Sequence, residues 1–379
     1  MTIQFIDNAT DLAALCSTLA DSHWLAVDTE FHREKTYYPQ LCLIQIANDD
    51  VIACVDPLAI DDLTPLFDLF YQPDMTLVFH AARQDLELFY LLRNALPQQI
   101  FDTQLAATVL GYGDQIGYGN LVKQCLQVEL EKGQARTDWR QRPLTQEQID
   151  YAANDVRYLR QLYHQLHTRL EQQGRLSWLA NDFANLSASD TYEVAPETSW
   201  QRIKGAGRLK PKQLAILQKL ADWRERYAVQ HDLPRRWVLK DDVMLDLARF
   251  APENKAAMNK IRHFEQRDID RHASAIIQQI QAGKAVPEDQ WPVIRRPQIL
   301  TNQQEALVDV LMGLLRALCD TASITPSAVA TRKDLEALVR GETTAVTQGW
   351  RNTIAGQQLA AFLRGEFVLS SDQQQLLIQ

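Results

Sequence analysis

The stretch WLAVDTEFHRE, residues 24–34, determines how the first domain is interpreted, because an apolar run ends there on two acids separated by one residue. Side chains alternate along a strand, so Asp28 and Glu30 project from the same face of the chain. Two carboxylates held side by side repel each other unless a cation neutralises them. The pair therefore predicts half of a metal site, although an isolated D-x-E is more often a strand that ends in a polar loop.

The composition indicates a soluble protein with more than one domain. A chain of 379 residues suggests two or three domains, and 46% hydrophobic residues can form buried cores. The apolar runs are far shorter than the ~20 residues of a membrane span, and no basic stretch followed by an apolar core occurs at the N-terminus. The five cysteines form no C-x-x-C pair, which predicts reduced core residues. We therefore expect a cytoplasmic protein without a membrane partner.

The charge is distributed unevenly along the chain. The net charge is −9, but residues 1–190 carry 13 basic and 26 acidic residues, whereas residues 191–290 carry 18 basic and 14 acidic ones. Residues 200–240 contain 11 basic and 3 acidic residues. Such a run is usually a solvated face, yet it also matches the electrostatic requirement for binding a phosphate backbone.

The first part of the sequence alternates strand and helix patterns. Strands are predicted at 24–27, 41–47, 51–55 and 77–80, and helices at 62–70, 84–92, 103–110 and 145–173. The first three strands follow each other too closely for helical crossovers, so they are expected to be antiparallel in a mixed sheet. These patterns predict an α/β domain over residues 1–175, followed by a linker over 176–207 whose centre, 187–198, has no periodicity.

Helical periods dominate the rest of the chain. Helices are predicted at 214–229, 241–250, 254–261 and 273–281, and a second helical unit at 302–367. Shifting the sequence by 92 residues places Arg224 on Arg316 and Pro234 on Pro326, although chance alignment could also produce this faint repeat. We expect two small all-α domains, 208–290 and 291–379, joined at WPVIRRPQ (residues 291–298).

Further acids and a tyrosine occur at helix positions. Thr145-Gln-Glu-Gln148 has capping-box spacing, so it predicts the start of a long helix on which Tyr151 and Asp155 lie four residues apart on one face. Asp85 lies near the start of a helix that follows a strand. Taken singly, the tyrosine could be half buried beside a surface acid, and Asp85 could merely offset the helix dipole.

Together these segments resemble the DEDD exonucleases of the RNase H-like fold, in the subgroup that has a tyrosine. VDTEF resembles the first motif of that family, HAARQDLELF the second and YAANDV the third. DWRQRPLTQEQ, residues 138–148, resembles the lead-in to the third motif in the ribonuclease D branch of the family. Residues 209–281 are similar to the helicase and RNase D C-terminal (HRDC) domain, a small nucleic-acid-binding module.

The resemblance implies 3′ to 5′ hydrolysis of RNA with release of nucleoside 5′-monophosphates and catalysis by two divalent ions, Mg²⁺ or Mn²⁺. It implies that Asp28 bridges both ions and that Glu30 and Asp155 complete the coordination of the ion that binds the nucleophile. Asp85 would hold the ion at the leaving group through water, and Tyr151 would position the attacking water. His32 and His80 lie near these motifs without an expected metal role. For Trp139, packing is favoured over stacking on a base.

The implied partner is RNA, in particular tRNA precursors with 3′ extensions, and a monomer is expected. One alternative is a 3′ to 5′ DNA exonuclease, since the same carboxylates serve proofreading domains. The sequence has no Walker A motif that would accompany such a role. The other alternative is an RNA-binding scaffold with an inactive nuclease fold. The presence of all four acids and the tyrosine argues against the scaffold.

Overall fold

Six strands form the sheet of the N-terminal part of the chain, seen in a computed structural model that describes residues 1–130, 137–193, 195–294, 298–372 and 375–378. The strands are β1 (Ile3–Ile6), β2 (Trp24–His32), β3 (Gln40–Ala47), β4 (Ile52–Val55), β5 (Thr76–Phe79) and β6 (Gln99–Asp102). Their spatial order is β1-β4-β3-β2-β5-β6. The pairs β1 with β4, β2 with β5 and β5 with β6 are parallel, whereas β3 and β4 are antiparallel. The predicted mixed sheet is confirmed, but β1 and β6 were not predicted.

Helices accompany this sheet in the N-terminal part of the chain. They are α1 (Ala9–Leu19), α2 (Thr64–Phe70), α3 (Arg83–Arg93), α4 (Thr103–Val109), α5 (Tyr118–Leu126) and α6 (Gln146–Gln172). The capping box at the start of α6 is confirmed, because the Thr145 hydroxyl accepts from the Gln148 N–H and the Gln148 side chain accepts from the Thr145 N–H. The four helices expected here are present to within a few residues, and α1 and α5 are additional.

Short helices replace the irregular linker that was expected over 176–207. They are three 3₁₀ helices, Leu176–Leu179, Ser189–Thr191 and Pro196–Arg202, the helix α7 (Ala180–Leu186), and a final 3₁₀ turn, Ala206–Arg208. Trp200 and Ile203 are buried in the core formed with the helices that follow. This segment therefore contributes to packing as well as connecting domains.

The chain divides into two compact units. The first comprises residues 1–31, 41–191 and 298–379, and the second comprises residues 32–40 and 192–297. One division falls between residues 191 and 192, inside the stretch 187–198 that lacked periodicity. Another falls within the expected joint 291–298, of which residues 295–297 lie outside the described residues.

The described α-helices that follow in the second unit are α8 (Pro211–Gln230), α9 (Arg235–Val238), α10 (Asp241–Phe250), α11 (Lys255–Met258) and α12 (Gln266–Lys284), and a 3₁₀ helix, Glu288–Gln290, comes after them. The helix α12 packs closely on α8, since a Cβ added at Gly283 would approach the Cα of Ile216 to 2.5 Å. Arg224 of α8 is buried and donates to the Leu239 carbonyl at 3.0 Å and to Asp241 at 2.7 Å. The expected helices are present, although α12 begins seven residues earlier than predicted.

The C-terminal helices belong to the first unit and do not form the separate compact domain expected from the sequence. They are α13 (Asn302–Ala322), α14 (Pro326–Val329), α15 (Arg332–Val339), α16 (Gly349–Arg351) and α17 (Gln357–Leu363), with a π-helical stretch, Asn352–Gly356, between the last two. An antiparallel hairpin of β7 (Leu369–Asp372) and β8 (Gln375–Ile378) follows, which was not predicted.

Aromatic stacking and hydrogen bonds attach these helices to the N-terminal part of the first unit. The indole rings of Trp178 and Trp350 stack with centroids 6.1 Å apart, and the Trp350 indole N–H donates to Asp182 at 3.1 Å. Arg175 donates to the carbonyl of Ala322 at 2.9 Å. None of the helices in the described part of the chain has the length and apolar run that a membrane crossing requires.

A pair of glycine substitutions tests this packing. Gly111 and Gly113 both have positive φ angles, but a Cβ at Gly111 would lie 2.1 Å from the carbonyl oxygen of Ser323, whereas nothing lies within 4 Å at Gly113. We expect Gly113→Ala to cost about 1–2 kcal/mol from backbone strain alone. Gly111→Ala should cost about 1–3 kcal/mol more, because the C-terminal helices must shift. Denaturant unfolding of both variants measures the difference, and equal losses would contradict the close approach.

Candidate active site

The strand β2 carries the first two acids of the site. Leu25, Ala26 and Val27 are fully buried and fix the strand between its neighbours β3 and β5. Because side chains alternate along a strand, Asp28 and Glu30 then share one face. Both carboxyl groups are partly buried where the strand leaves the core.

The helix α6 brings the third acid to this pair. Tyr151 and Asp155 lie one turn apart, and the fully buried Ala152 and Ala153 between them allow the helix to pack closely. One carboxylate oxygen each from Asp28, Glu30 and Asp155 lies within 4.8 Å of the others. The structure thus brings together three of the four acids that the sequence singled out.

The fourth acid, Asp85, reaches β2 through a different residue. It lies in the first turn of α3 with only 7% of its surface exposed, and it accepts a hydrogen bond from the Thr29 hydroxyl at 2.5 Å. It is not a member of the group of three, but the charge of Asp28 contributes to raising its pKa. Asp85 therefore lies beside the site without completing the cluster of ligand atoms.

The pKa values of these carboxyl groups are raised because burial disfavours their charged forms. Burial raises the pKa of Glu30 to about 9, with further contributions from the charges of Asp28, Asp155 and Asp85. Burial also raises the pKa of Asp155 to about 7 and holds the pKa values of Asp28 and Asp85 well above their usual range. A divalent cation removes this penalty, and carboxylate oxygens are the donors that hard cations require. The residues therefore fit a divalent metal site.

Tyr151 remains protonated at neutral pH. Burial, followed by the charges of Asp155, Glu30 and Asp28, raises the pKa of its phenol to about 12. Its ring centroid lies 6.2 Å from that of Trp139, which is only 4% exposed, so packing as the role of Trp139 is confirmed. A protonated phenol beside carboxylates can hold a water molecule by hydrogen bonding but cannot act as a general base.

Two residues that hold α6 at the site were not recognised from the sequence. The Tyr118 hydroxyl donates to the main-chain carbonyls of Asp155 and, at 3.2 Å, Asn154. Arg142 donates to Asp56 at 2.7 Å and to the Cys42 carbonyl at 2.7 Å, which ties the segment before α6 to β3 and to the end of β4. Tyr118 has no local signal, whereas Arg142 lies inside the lead-in DWRQRPLTQEQ.

The two histidines near the motifs, His80 and His32, differ in the groups that they contact. The His80 ring nitrogens lie 3.0 Å from the Thr103 hydroxyl and 3.0 Å from the Ile116 carbonyl, so both are engaged in structural hydrogen bonds. His32 belongs to the second unit and lies 3.9 Å from Glu34.

Comparisons with known proteins define the class of the chain. Residues 3–171 match the 3′-5′ exonuclease family, and residues 213–280 match the HRDC domain. The ribonuclease D of Bartonella henselae is 37% identical over 97% of this chain and 92% of its own length. That of Jannaschia sp. is 39% identical over 98% of both. The crystal structure of Escherichia coli RNase D, described as an exoribonuclease involved in structured RNA processing, has a TM-score of 0.84 and 30% identity, covering 96% of this chain and 99% of that one.

A mixed sheet with a carboxylate cluster, followed by an HRDC domain, defines a 3′ to 5′ exonuclease. The chain belongs to the ribonuclease D family, and it is a 3′ to 5′ exoribonuclease. The family implies divalent metal ions, with which the carboxylate cluster agrees. The resemblance that the motifs indicated is thereby confirmed.

The raised carboxyl pKa values predict how stability depends on pH without metal. Between the ordinary glutamate pKa of 4.5 and about 9, Glu30 keeps its proton in the folded state but loses it in the unfolded state. Stability in EDTA should therefore fall as pH rises through this window, by on the order of a few kcal/mol. Thermal unfolding from pH 5 to pH 9 measures the trend, which Glu30→Gln should flatten and Mg²⁺ should oppose most at high pH. Stability that rises with pH over this range would contradict the assignment.

Proposed function

We propose that the enzyme removes nucleoside 5′-monophosphates from the 3′ ends of tRNA precursors by two-metal-ion catalysis. Asp28, Glu30, Asp85 and Asp155 are the proposed metal ligands, with Mg²⁺ or Mn²⁺ as the ions. The single observation that carries this proposal is the group of three carboxylates whose oxygens lie within 4.8 Å of one another.

The chemistry divides between the ions and the side chains. When bound, divalent cations lower the pKa of water and stabilise negative charge on the oxygens of the phosphodiester. Asp28 and Glu30 from β2 and Asp155 from α6 would hold such cations through their carboxylate oxygens. Asp85, which accepts a hydrogen bond from Thr29, would bind a cation through an intervening water molecule.

Tyr151 completes the proposed site. Its phenol stays protonated because its pKa is raised to about 12, so it orients the attacking water by a hydrogen bond. Orientation of a nucleophile stabilises the transition state more than the ground state, so the Tyr151 hydroxyl should affect turnover more than metal binding.

The second unit is proposed to hold the RNA. Five basic residues before or at the start of α8 are exposed: Arg202, Lys204, Arg208, Lys210 and Lys212. They can bind phosphates of a structured RNA, and the similarity to Escherichia coli RNase D, an exoribonuclease involved in structured RNA processing, supports this class of substrate. Arg224 is excluded from this surface because it is buried against Asp241.

We also infer that residues 291–379 are a second HRDC-like region, because their helices follow the same order as those of residues 208–290, although they pack in the first unit. A shift of 92 residues places α8 on residues 303–322, against Asn302–Ala322 for α13. The same shift places α9 on 327–330 and α10 on 333–342, against Pro326–Val329 for α14 and Arg332–Val339 for α15. The agreement of three successive helices supports the faint sequence repeat.

A cytoplasmic location and a monomeric enzyme remain part of the proposal. The five cysteines are free, which agrees with a reducing compartment.

The test compares a 3′-extended tRNA precursor with a DNA of matched sequence. With Mg²⁺ the enzyme should release 5′-mononucleotides from the RNA, and EDTA should abolish release. Asp155→Asn should lower kcat by at least about two orders of magnitude and raise the metal concentration for half-maximal rate, because a ligand is removed without loss of packed volume.

Tyr151→Phe is the matched variant, since it keeps the ring and removes only the hydroxyl. It should lower kcat while leaving Mn²⁺ affinity unchanged. Rapid turnover by Asp155→Asn, or loss of metal affinity in Tyr151→Phe, would overturn the assigned roles. Preferential hydrolysis of the DNA would favour the DNA exonuclease instead.

The role of the basic surface is tested by point variants, because truncation before residue 200 would also remove helices that pack in the first unit. The triple change Lys204→Gln, Arg208→Gln and Lys212→Gln should raise KM for the precursor about tenfold with little change in kcat. The slope of log affinity against log salt should become shallower by about 0.7 for each cation that no longer binds a phosphate.

The control removes three exposed cations from another part of the same unit, Lys255, Lys260 and Arg262, by the same change to Gln. It alters the net charge equally, so it should reproduce only the long-range part of the effect. Equal KM values and salt slopes for the two triple variants would show that residues 204–212 do not bind the RNA locally.

A further inference from the structure

The segment 32–40 connects β2 to β3 of the sheet, yet it belongs to the second compact unit together with residues 192–297. Glu30 precedes this segment by two residues and Asp28 by four. The HRDC domain match, residues 213–280, lies in the same unit. One connection between sheet strands is therefore packed as a part of the HRDC-containing unit.

Tyr37 is the centre of this packing. It is 8% exposed, and its hydroxyl donates to a carboxylate oxygen of Glu225, a fully buried residue of α8. The guanidinium of Arg235, in α9, lies 3.5 Å from the same carboxylate and 5.7 Å from the centre of the Tyr37 ring. Ala228 and Val238 pack against the ring.

The buried carboxylate makes this interaction specific. The second oxygen of Glu225 has no hydrogen-bond partner in the described part of the chain. Tyr37 and Arg235 therefore both contact the same one of its two oxygens. An acid buried with so few donors depends strongly on each of them. Burial and the neighbouring Glu225 raise the pKa of the Tyr37 phenol, so the hydroxyl remains a donor throughout the physiological pH range.

A second set of bonds fixes the backbone of the segment. One carboxylate oxygen of Asp232, in the turn between α8 and α9, accepts from the N–H groups of Tyr37 at 2.9 Å and Tyr38 at 3.1 Å. The side chain of Arg33 donates to the Tyr37 carbonyl at 3.3 Å. The Tyr37 hydroxyl is therefore bound by α8, and the backbone N–H groups of Tyr37 and Tyr38 are bound by the turn that follows α8.

We propose that the HRDC domain, through Glu225, Asp232 and Arg235, positions the segment 32–40 and thereby restrains the end of β2 that carries Glu30. This inference rests on the proposed role of Glu30 as a metal ligand. Tyr37 is a positioning residue, because it acts through the backbone that leads to Glu30 and touches no reacting group. The HRDC domain then has a function in catalysis besides holding RNA.

The experiment compares Tyr37→Phe with Tyr38→Phe in the full-length enzyme. The first change removes the hydroxyl that donates to Glu225, and the second removes a hydroxyl from an exposed neighbour in the same segment. Mn²⁺ binding is measured by calorimetry, and kcat and KM are measured on short single-stranded oligoadenylate over a range of Mn²⁺ concentrations. We expect Tyr37→Phe to raise the half-saturating Mn²⁺ concentration on the order of tenfold with KM for RNA unchanged. Tyr38→Phe should match the wild type.

Asp232 provides an independent route to the same result. Its φ angle is 46°, a conformation that glycine and asparagine tolerate, so Asp232→Gly removes the acceptor without backbone strain. Asp232→Asn keeps an oxygen that can accept both N–H groups. Asp232→Gly should raise the half-saturating Mn²⁺ concentration, as Tyr37→Phe does. Asp232→Asn should give the wild-type Mn²⁺ titration.

The outcomes distinguish a positioning role of Tyr37 from no role at the metal site and from a role in RNA binding alone. A folded Tyr37→Phe enzyme with a wild-type Mn²⁺ titration would overturn the proposal, as would a variant in which only KM for RNA rises. Glu30→Gln is measured in parallel to test the assignment on which the inference rests. If Glu30→Gln leaves Mn²⁺ binding unchanged, the metal site itself is wrongly assigned. If Glu30→Gln loses metal while Tyr37→Phe does not, only the positioning role fails.

Discussion

The mutual repulsion of the carboxylates at the meeting of β2 and α6 is the constraint on which the rest of the structure depends. Two unit charges about 4 Å apart repel by roughly 4 kcal/mol near a protein surface, and burial adds a desolvation cost. Asp28, Glu30 and Asp155 are nevertheless held within this distance range by rigid elements. The fully buried strand residues before Asp28 fix one side, and Tyr118 and Arg142 fix the other by holding α6 and the segment before it. The stability of the fold thus maintains a site whose repulsion is relieved by a bound cation or, without metal, by protonation of the carboxylates.

The parts of the site that follow local periodicity could be predicted from the sequence. Alternation along a strand placed Asp28 and Glu30 together, and the four-residue helical repeat placed Tyr151 with Asp155. The position of Asp85 could not be derived in the same way, because its hydrogen bond to Thr29 joins residues 56 positions apart. Tyr118 and Arg142 likewise act on partners distant in sequence, and no spacing rule indicates which distant backbone carbonyl a side chain will reach.

The fold was predictable to a similar extent. Long helices such as α6 and α8 carry enough repeats of the 3.6-residue period to be recognised. The four-residue strands β4 (IACV) and β5 (TLVF) were recognised as apolar runs, whereas the equally short β1 (IQFI) and β6 (QIFD) contain polar residues that interrupt this signal. An apolar helix face shows that a helix is buried but does not identify its partner. For this reason the helices after residue 298 were expected as a separate domain, although the stacking of Trp178 on Trp350 packs them in the first unit.

The charge of a segment and the charge that it presents to RNA are different quantities in this protein. Counting along the sequence assigns eleven cations to residues 200–240, but Arg224 is buried against Asp241 and Arg235 is paired with the buried Glu225. Their fields are largely cancelled by these partners, so the positive surface charge of the segment comes mainly from its exposed cations, among them those before and at the start of α8. The helical unit therefore contains two classes of arginine and lysine. Internal ones contribute to its packing and contact the segment at Tyr37, whereas exposed ones contribute to its surface charge, so a substitution can change the packing without the surface charge or the reverse.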